Sequence, residues 1–170
     1  MKIFVCQSVI RDISREYELY KDDRLETGGI FLGLLIPDRN EMHIVEMVSG
    51  GNNAYHGENS FEMDKEYVNQ IANEIADSYI PQLELVGLWH THYDTLALFS
   101  KPDMIMNGKF YECVNHPIVS LIVNIVEEKK EEYHLFLIDK KSEGQYVSLE
   151  TEWENDDYSE FFELKEEDYG

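Results

Sequence analysis

Two histidines one residue apart, His90 and His92, open the stretch of this chain whose residue types could do chemistry: GLWHTHYDTLALFSKPD, residues 87–103. Seven residues separate His92 from Ser100, and two more separate Ser100 from Asp103. The run LELVGLWHTH reads as a central strand, and a period of two sends both imidazoles to one face with Leu88, leaving Trp89 and Thr91 on the other. Two imidazoles on one strand face can both reach a zinc ion at about 2.0–2.1 Å. The plain alternative is one packed and one solvated histidine. Ser100 and Asp103 have a plain alternative of their own: Ser-x-x-Asp with Pro102 between them is how a helix starts, with Ser100 as N-cap and Asp103 as the acid of a capping box. That accounts for the pair but leaves the histidines unexplained.

The elements that must position these residues follow from periodicity. Lys2–Ser8 alternates and reads as a strand, and Val9–Lys21 as a short amphipathic helix with Ile10, Ile13 and Tyr17 on its apolar side. ETGGIFLGLLIP is a glycine-opened buried strand ended by Pro37. Asp38-Arg39-Asn40 is a turn, and MHIVEMVS the return strand of a hairpin. Turn chemistry fills Ser49–Ser60, which reads as a flexible loop. Asp64 can cap a helix carrying Tyr67, Val68, Ile71, Ile75 and Tyr79, stopped by Pro81. SKPDMIMNGKFYECV reads as a third helix, and PIVSLIVNIV, EYHLFLIDK and GQYVSLETEW as strands. Six or seven strands with three helices make an α/β or α+β layered domain with a mixed central sheet flanked by helices. No repeat or Pro/Gly/Ser linker divides the chain, so a single domain is expected over residues 1–150, with an acidic C-terminal tail from 151 to 170.

The charge excludes whole classes of partner. A formal net charge of −21 argues against nucleic-acid backbones and anionic membrane surfaces. Ten acidic residues and one lysine stand between Glu150 and Gly170, so that end reads as a solvated tail, a short helix packing Trp153, Phe161 and Phe162, or a segment that docks on a basic partner or covers the active site. No apolar run approaches a membrane span and no signal-peptide pattern opens the chain. Cys6 and Cys113 have no metal-knuckle or redox spacing. A cytoplasmic protein is the default expectation.

The whole arrangement, His-x-His-x7-Ser-x-x-Asp, resembles the motif of the JAB/MPN metalloproteases, also called JAMM proteins, in their prokaryotic form. The resemblance runs from about Leu25 to Asp103 in motif terms and over most of the chain in element order. It asks for an upstream glutamate at the start of a strand, and Glu26 in ETGGIFLG stands there. One departure is Tyr93, where the family commonly has proline after the second histidine; another is the apolar run TLALF that follows.

What the resemblance implies is specific. His90, His92 and Asp103 would hold one zinc ion per chain and leave a position for a catalytic water. Glu26 would act as general base and then general acid, and Ser100 would donate to the developing oxyanion. Read without the motif, Glu26 is a solvated turn acid. The implied activity is hydrolysis of an amide or isopeptide bond after the C-terminal glycine of a ubiquitin-like protein, in deconjugation or maturation. The implied partners are that modifier or its conjugate and E1-like or E2-like enzymes, in a conjugation or antiviral defence system. Rival readings are a non-catalytic MPN interaction module and a zinc amidohydrolase acting on a small molecule or a sulfur-carrier conjugate. His43, His56, His116 and His134 show no ligand spacing; His43 and His134 fit strand patterns, and His56 lies in the loop, where it could touch substrate.

Overall fold

The computed structural model describes residues 1–93, 97–140, 146–156 and 163–164. Strand β1 (Lys2–Cys6) runs straight into helix α1 (Gln7–Glu18), whose Val9, Ile13 and Tyr17 are its buried stripe. The apolar run of β2 (Gly28–Ile36) returns through a turn with Asn40 in the left-handed region (φ 52°) into β3 (Glu41–Ser49). The expected loop then carries two short paired strands, β4 (Tyr55–His56) and β5 (Phe61–Glu62). Asp64 caps helix α2 (Lys65–Asp77), accepting the Tyr67 N–H at 3.3 Å. After β6 (Tyr79–Ile80) come the histidine strand β7 (Glu84–His92), helix α3 (Lys101–Cys113), β8 (Ile118–Asn124) and β9 (Glu132–Lys140). The expected last strand, GQYVSLETEW, corresponds to β10 (Tyr146–Thr151); past Glu152 its final residue opens a further strand, β11 (Trp153–Asp156). β12 (Glu163–Leu164) pairs with β6.

The main sheet has eight strands in the order β10-β9-β8-β7-β2-β3-β1-β11, more than the six or seven that periodicity predicts. β10 lies antiparallel on β9 at one edge and β11 parallel on β1 at the other. Because these edge strands are successive pieces of one stretch of chain, the sheet must curl until its two edges come together. The domain is α+β with a curled mixed sheet. Inside the curl, α1 packs its stripe against Ile3, Val5, Phe31, Met42, Ile44, Val86, Trp89, Leu121 and Leu135, with Trp153 partly buried against the same core. Trp153 thus packs, but from strand β11 and not from the short helix that one expectation for the acidic end had; Phe161 and Phe162 lie outside the described residues. α2 covers the outer face of β2 and β3 through Val68 and Ala76, and α3 covers Leu88, Ile118 and Ile138.

β7 owes the direction of its histidines to a bulge. Phe31 pairs with Gly87 and Leu32 with Leu85, so Val86 is an extra residue in the ladder. Val86 and Trp89 both face the inner core, while Leu88 turns outward beneath α3. Beyond the bulge the alternation expected from sequence holds, and His90 and His92 emerge on the α3 side.

Candidate metal centre

β7 lies between β2 and β8, so its end is braced on both sides and both histidines are buried. Gly28 is the register partner of His90. A Cβ at Gly28 would come within 2.3 Å of the Trp89 carbonyl oxygen and 2.9 Å of the Phe61 ring, so only glycine lets β2, β7 and the β5 wall close up beside the imidazole.

The third group comes from α3. Ser100 Oγ accepts the Asp103 N–H at 3.2 Å, and Asp103 Oδ2 accepts the Ser100 N–H at 2.9 Å, a complete capping box. That reciprocal bond fixes the Asp103 side chain so that the same Oδ2 lies 3.2 Å from His90 Nε2 and 3.2 Å from His92 Nε2. The two Nε2 atoms are 2.8 Å apart. The cap and the cluster are therefore one structure, and Ser100 orients Asp103 whatever else it does.

Three donor atoms this close fit a cation. In a tetrahedral site with bonds of about 2.0–2.1 Å the donors stand roughly 3.3 Å from one another, and the separations here are 2.8–3.2 Å. His90, His92 and Asp103 could hold a metal ion, and no other such group occurs among the described residues. Burial pushes the Asp103 carboxyl up, but hydrogen bonds from His90 and His92, the His90 charge and the Ser100 N–H outweigh it and hold it well below the usual carboxylate range. A carboxylate kept ionised beside two imidazoles is a ligand ready to bind.

Glu26 stands at the rim of this cluster, 8% exposed, with Oε1 4.0 Å from His92 Nε2. Two clefts meet at it. One, of about 260 Å³, runs between the Asn59–Met63 wall and α3 over Leu88, His90 and Asp103. The other, of about 250 Å³, is lined by Asp23, Arg24, Glu58, Asn59 and Tyr93. Asn107, one helical turn beyond Asp103, is the one fully buried residue of α3, and neither its Nδ2 nor its Oδ1 has a partner. Nothing in the sequence singled it out.

The family model described as prokaryotic homologs of the JAB domain matches residues 7–139. The chain belongs to this family. The match takes in Glu26 and every member of the His-x-His-x7-Ser-x-x-Asp motif; β1, β10 and β11, which close the curl, fall outside it. A search of curated proteins finds no match. Among the described residues of this JAB-domain chain, no helix is long and apolar enough to cross a membrane.

The structure thus brings Glu26, His90, His92, Ser100 and Asp103 to one place. His43, expected as structural, is buried with its ring stacked on Phe4 at 4.7 Å and Nε2 2.8 Å from Glu41. His116 bonds the Pro117 carbonyl at 2.8 Å. His56 holds Glu26: its Nδ1 lies 3.0 Å from the Glu26 carbonyl oxygen, which can only accept, so that nitrogen carries the proton. Its contact is with the loop that carries the carboxylate, a role that no local spacing signals. Tyr93 does the same from the other side, its hydroxyl donating to the Leu25 carbonyl at 2.7 Å. Burial, with the nearby Glu26 charge adding to it, pushes that hydroxyl up to about 12, so it stays protonated as a donor.

Proposed function

We propose that this chain is a zinc-dependent amide hydrolase of the JAMM type, acting after the C-terminal glycine of a ubiquitin-like protein. One observation carries the reading: three donor atoms that could hold a metal converge beside a shielded carboxylate at the junction of two clefts. A structural metal site is closed by its ligands, whereas this one has three ligands and a carboxylate on its open side.

Bound zinc would polarise the substrate carbonyl and make water acidic enough to attack at neutral pH. Glu26 takes the proton of the attacking water at Oε1 and returns it to the leaving nitrogen as the C–N bond breaks. Ser100 Oγ receives the Asp103 N–H through a lone pair, so its own hydrogen serves the carbonyl oxygen as negative charge gathers there. Asp103 and the two imidazoles would hold the metal.

An extended chain end with small glycines fits a cleft floored by Leu88 and walled by Phe61, Met63 and Met106. The net charge of −21 favours a partner with a basic face. A conjugation or antiviral defence system, with E1-like or E2-like enzymes alongside, is the setting this substrate implies. The test uses zinc-loaded chain and two substrates: a folded ubiquitin-like protein fused through its terminal glycine to a reporter, and a short peptide of the same tail. Cleavage of the fusion after glycine, stopped by a chelator, supports the reading. Cleavage of the peptide alone points to a small-molecule amidohydrolase, and cleavage of neither to a binding module.

A further inference from the structure

The segment Leu25–Thr27, which carries Glu26 into β2, has all six of its backbone polar groups engaged. The Leu25 N–H donates to the Tyr20 carbonyl at 3.1 Å, and the Leu25 carbonyl accepts the Tyr93 hydroxyl at 2.7 Å. The Glu26 N–H donates to the Gly57 carbonyl at 2.7 Å, and the Glu26 carbonyl accepts from His56 Nδ1 at 3.0 Å. The Thr27 N–H donates to Thr91 Oγ1 at 2.9 Å, and the Thr27 carbonyl accepts the Thr91 N–H at 2.8 Å.

Four of these bonds come from main chain or from the strand ladder's own neighbour. The other two come from side chains that lie outside the motif. Tyr93 directly follows the second histidine, so its hydroxyl ties the end of the metal-binding strand to the residue before Glu26. A proline at that place would offer no donor. Arg24, at φ 52°, strengthens the tie: its Nη2 donates to the Tyr93 carbonyl at 3.2 Å and its guanidinium lies 5.6 Å from the Tyr93 ring centre. On the other side His56 stacks on Tyr20 at 3.9 Å with the rings 14° from parallel, which aims Nδ1 at the Glu26 carbonyl.

We propose that Tyr93 and His56 are positioning residues that set Glu26 against the His90–His92–Asp103 cluster through the backbone of Leu25 and Glu26. The inference rests on the hydrolase reading above. It follows from how a buried side chain is aimed: holding both flanking peptides fixes Cα and the Cα–Cβ direction of Glu26, and its burial leaves few rotamers to carry Oε1 to the cluster. A catalytic group moved by about 1 Å loses on the order of 10²-fold in rate.

The experiment uses the full zinc-loaded chain and the reporter fusion described above. Tyr93→Phe keeps the ring beside Arg24 and removes one oxygen; His56→Phe keeps the stack on Tyr20 and removes the donor. Each should lower kcat about tenfold and the pair together about a hundredfold, with KM and zinc content unchanged. His56→Asn, whose amide N–H falls near the lost Nδ1–H, should restore most of the rate. In a Glu26→Gln background the same substitutions should change nothing, because they act only through that carboxylate. Full kcat in both variants, or an equal loss in the Glu26→Gln background, overturns the inference while the hydrolase reading stands. A wild-type chain without hydrolysis, or an active Glu26→Gln chain, removes that reading and this inference with it. Should His56→Phe fail to fold, Tyr93→Phe decides alone.

Discussion

At His90 and His92 two imidazole nitrogens converge on one carboxylate oxygen, whereas at His134 a single imidazole splits its two nitrogens between two carboxylates. The register puts these clusters in one row across the sheet: His90 pairs with Ile122, and Ile122 with His134. His134 Nδ1 lies 2.6 Å from Glu150 and Nε2 3.2 Å from Glu132, and both acids are mostly exposed. The residue types match, as does the sheet face. What differs is direction and burial. Donors that point to a common spot from buried, braced elements leave a hole of one ion's size. Donors that diverge from a half-buried ring to exposed acids make two surface ion pairs, which contribute little. A metal centre is thus a matter of convergence, and composition alone does not announce it.

The largest effect expected from this contrast concerns metal content. His90→Ala with His92→Ala should take zinc from about one per chain to none, while His134→Gln leaves it unchanged; inductively coupled plasma mass spectrometry on dialysed protein reads both. Equal loss in both proteins would mean that the convergent cluster has no privilege.

A smaller effect separates the two duties of Ser100. Ser100→Ala removes the cap as well as the hydroxyl and should cost about 1 kcal/mol of stability. Ser100→Asp keeps a capping oxygen but no hydrogen to donate. Hydrolysis lowered in both variants assigns a role to the hydroxyl, and hydrolysis lowered only in the alanine variant assigns it to the orientation of Asp103. Thermal melts run alongside the rate measurements supply the stability comparison.

The smallest effect is a pH dependence at His134. Partial burial lowers its pKa, but the hydrogen bonds to Glu150 and Glu132 prevail, and the net shift is upward. A raised folded-state value means that the histidine stabilises the fold below its unfolded pKa of about 6.5 and loses that contribution as pH rises through the folded value. Wild-type chain should therefore melt above His134→Gln near pH 6, with the gap closing toward pH 9. A gap that widens with pH would reverse the assigned sign.

Much of the site could be read from the chain because its geometry is local. The His-x-His spacing needs only a strand, and Ser-x-x-Asp needs only a helix start. Asp64 and the Asp38–Asn40 turn announced their elements through the same short-range chemistry. What stayed hidden depends on distant pairing. β11 joins β1 across most of the chain length, and no short pattern in GQYVSLETEW says that Trp153, at its end, leaves the β9 ladder and opens a strand on β1. The expected loop at Ser49–Ser60 proved to grip Glu26 through Gly57 and His56, a contact between residues 30 positions apart. Asn107 escaped for a different reason: α3 exposes Met104 and Ile105 and buries an amide, the inverse of the pattern that marks a helix's inner face.

One preparation tests the central claim most directly, a Glu26→Gln chain on which zinc content and turnover of the reporter fusion are both measured. The substitution keeps shape and removes the proton carrier, so the protein should hold about one zinc and hydrolyse roughly 10²–10⁴-fold more slowly than wild type. Wild-type turnover at full zinc occupancy would contradict the account, because the carboxylate beside the His90–His92–Asp103 cluster would then have no part in the reaction.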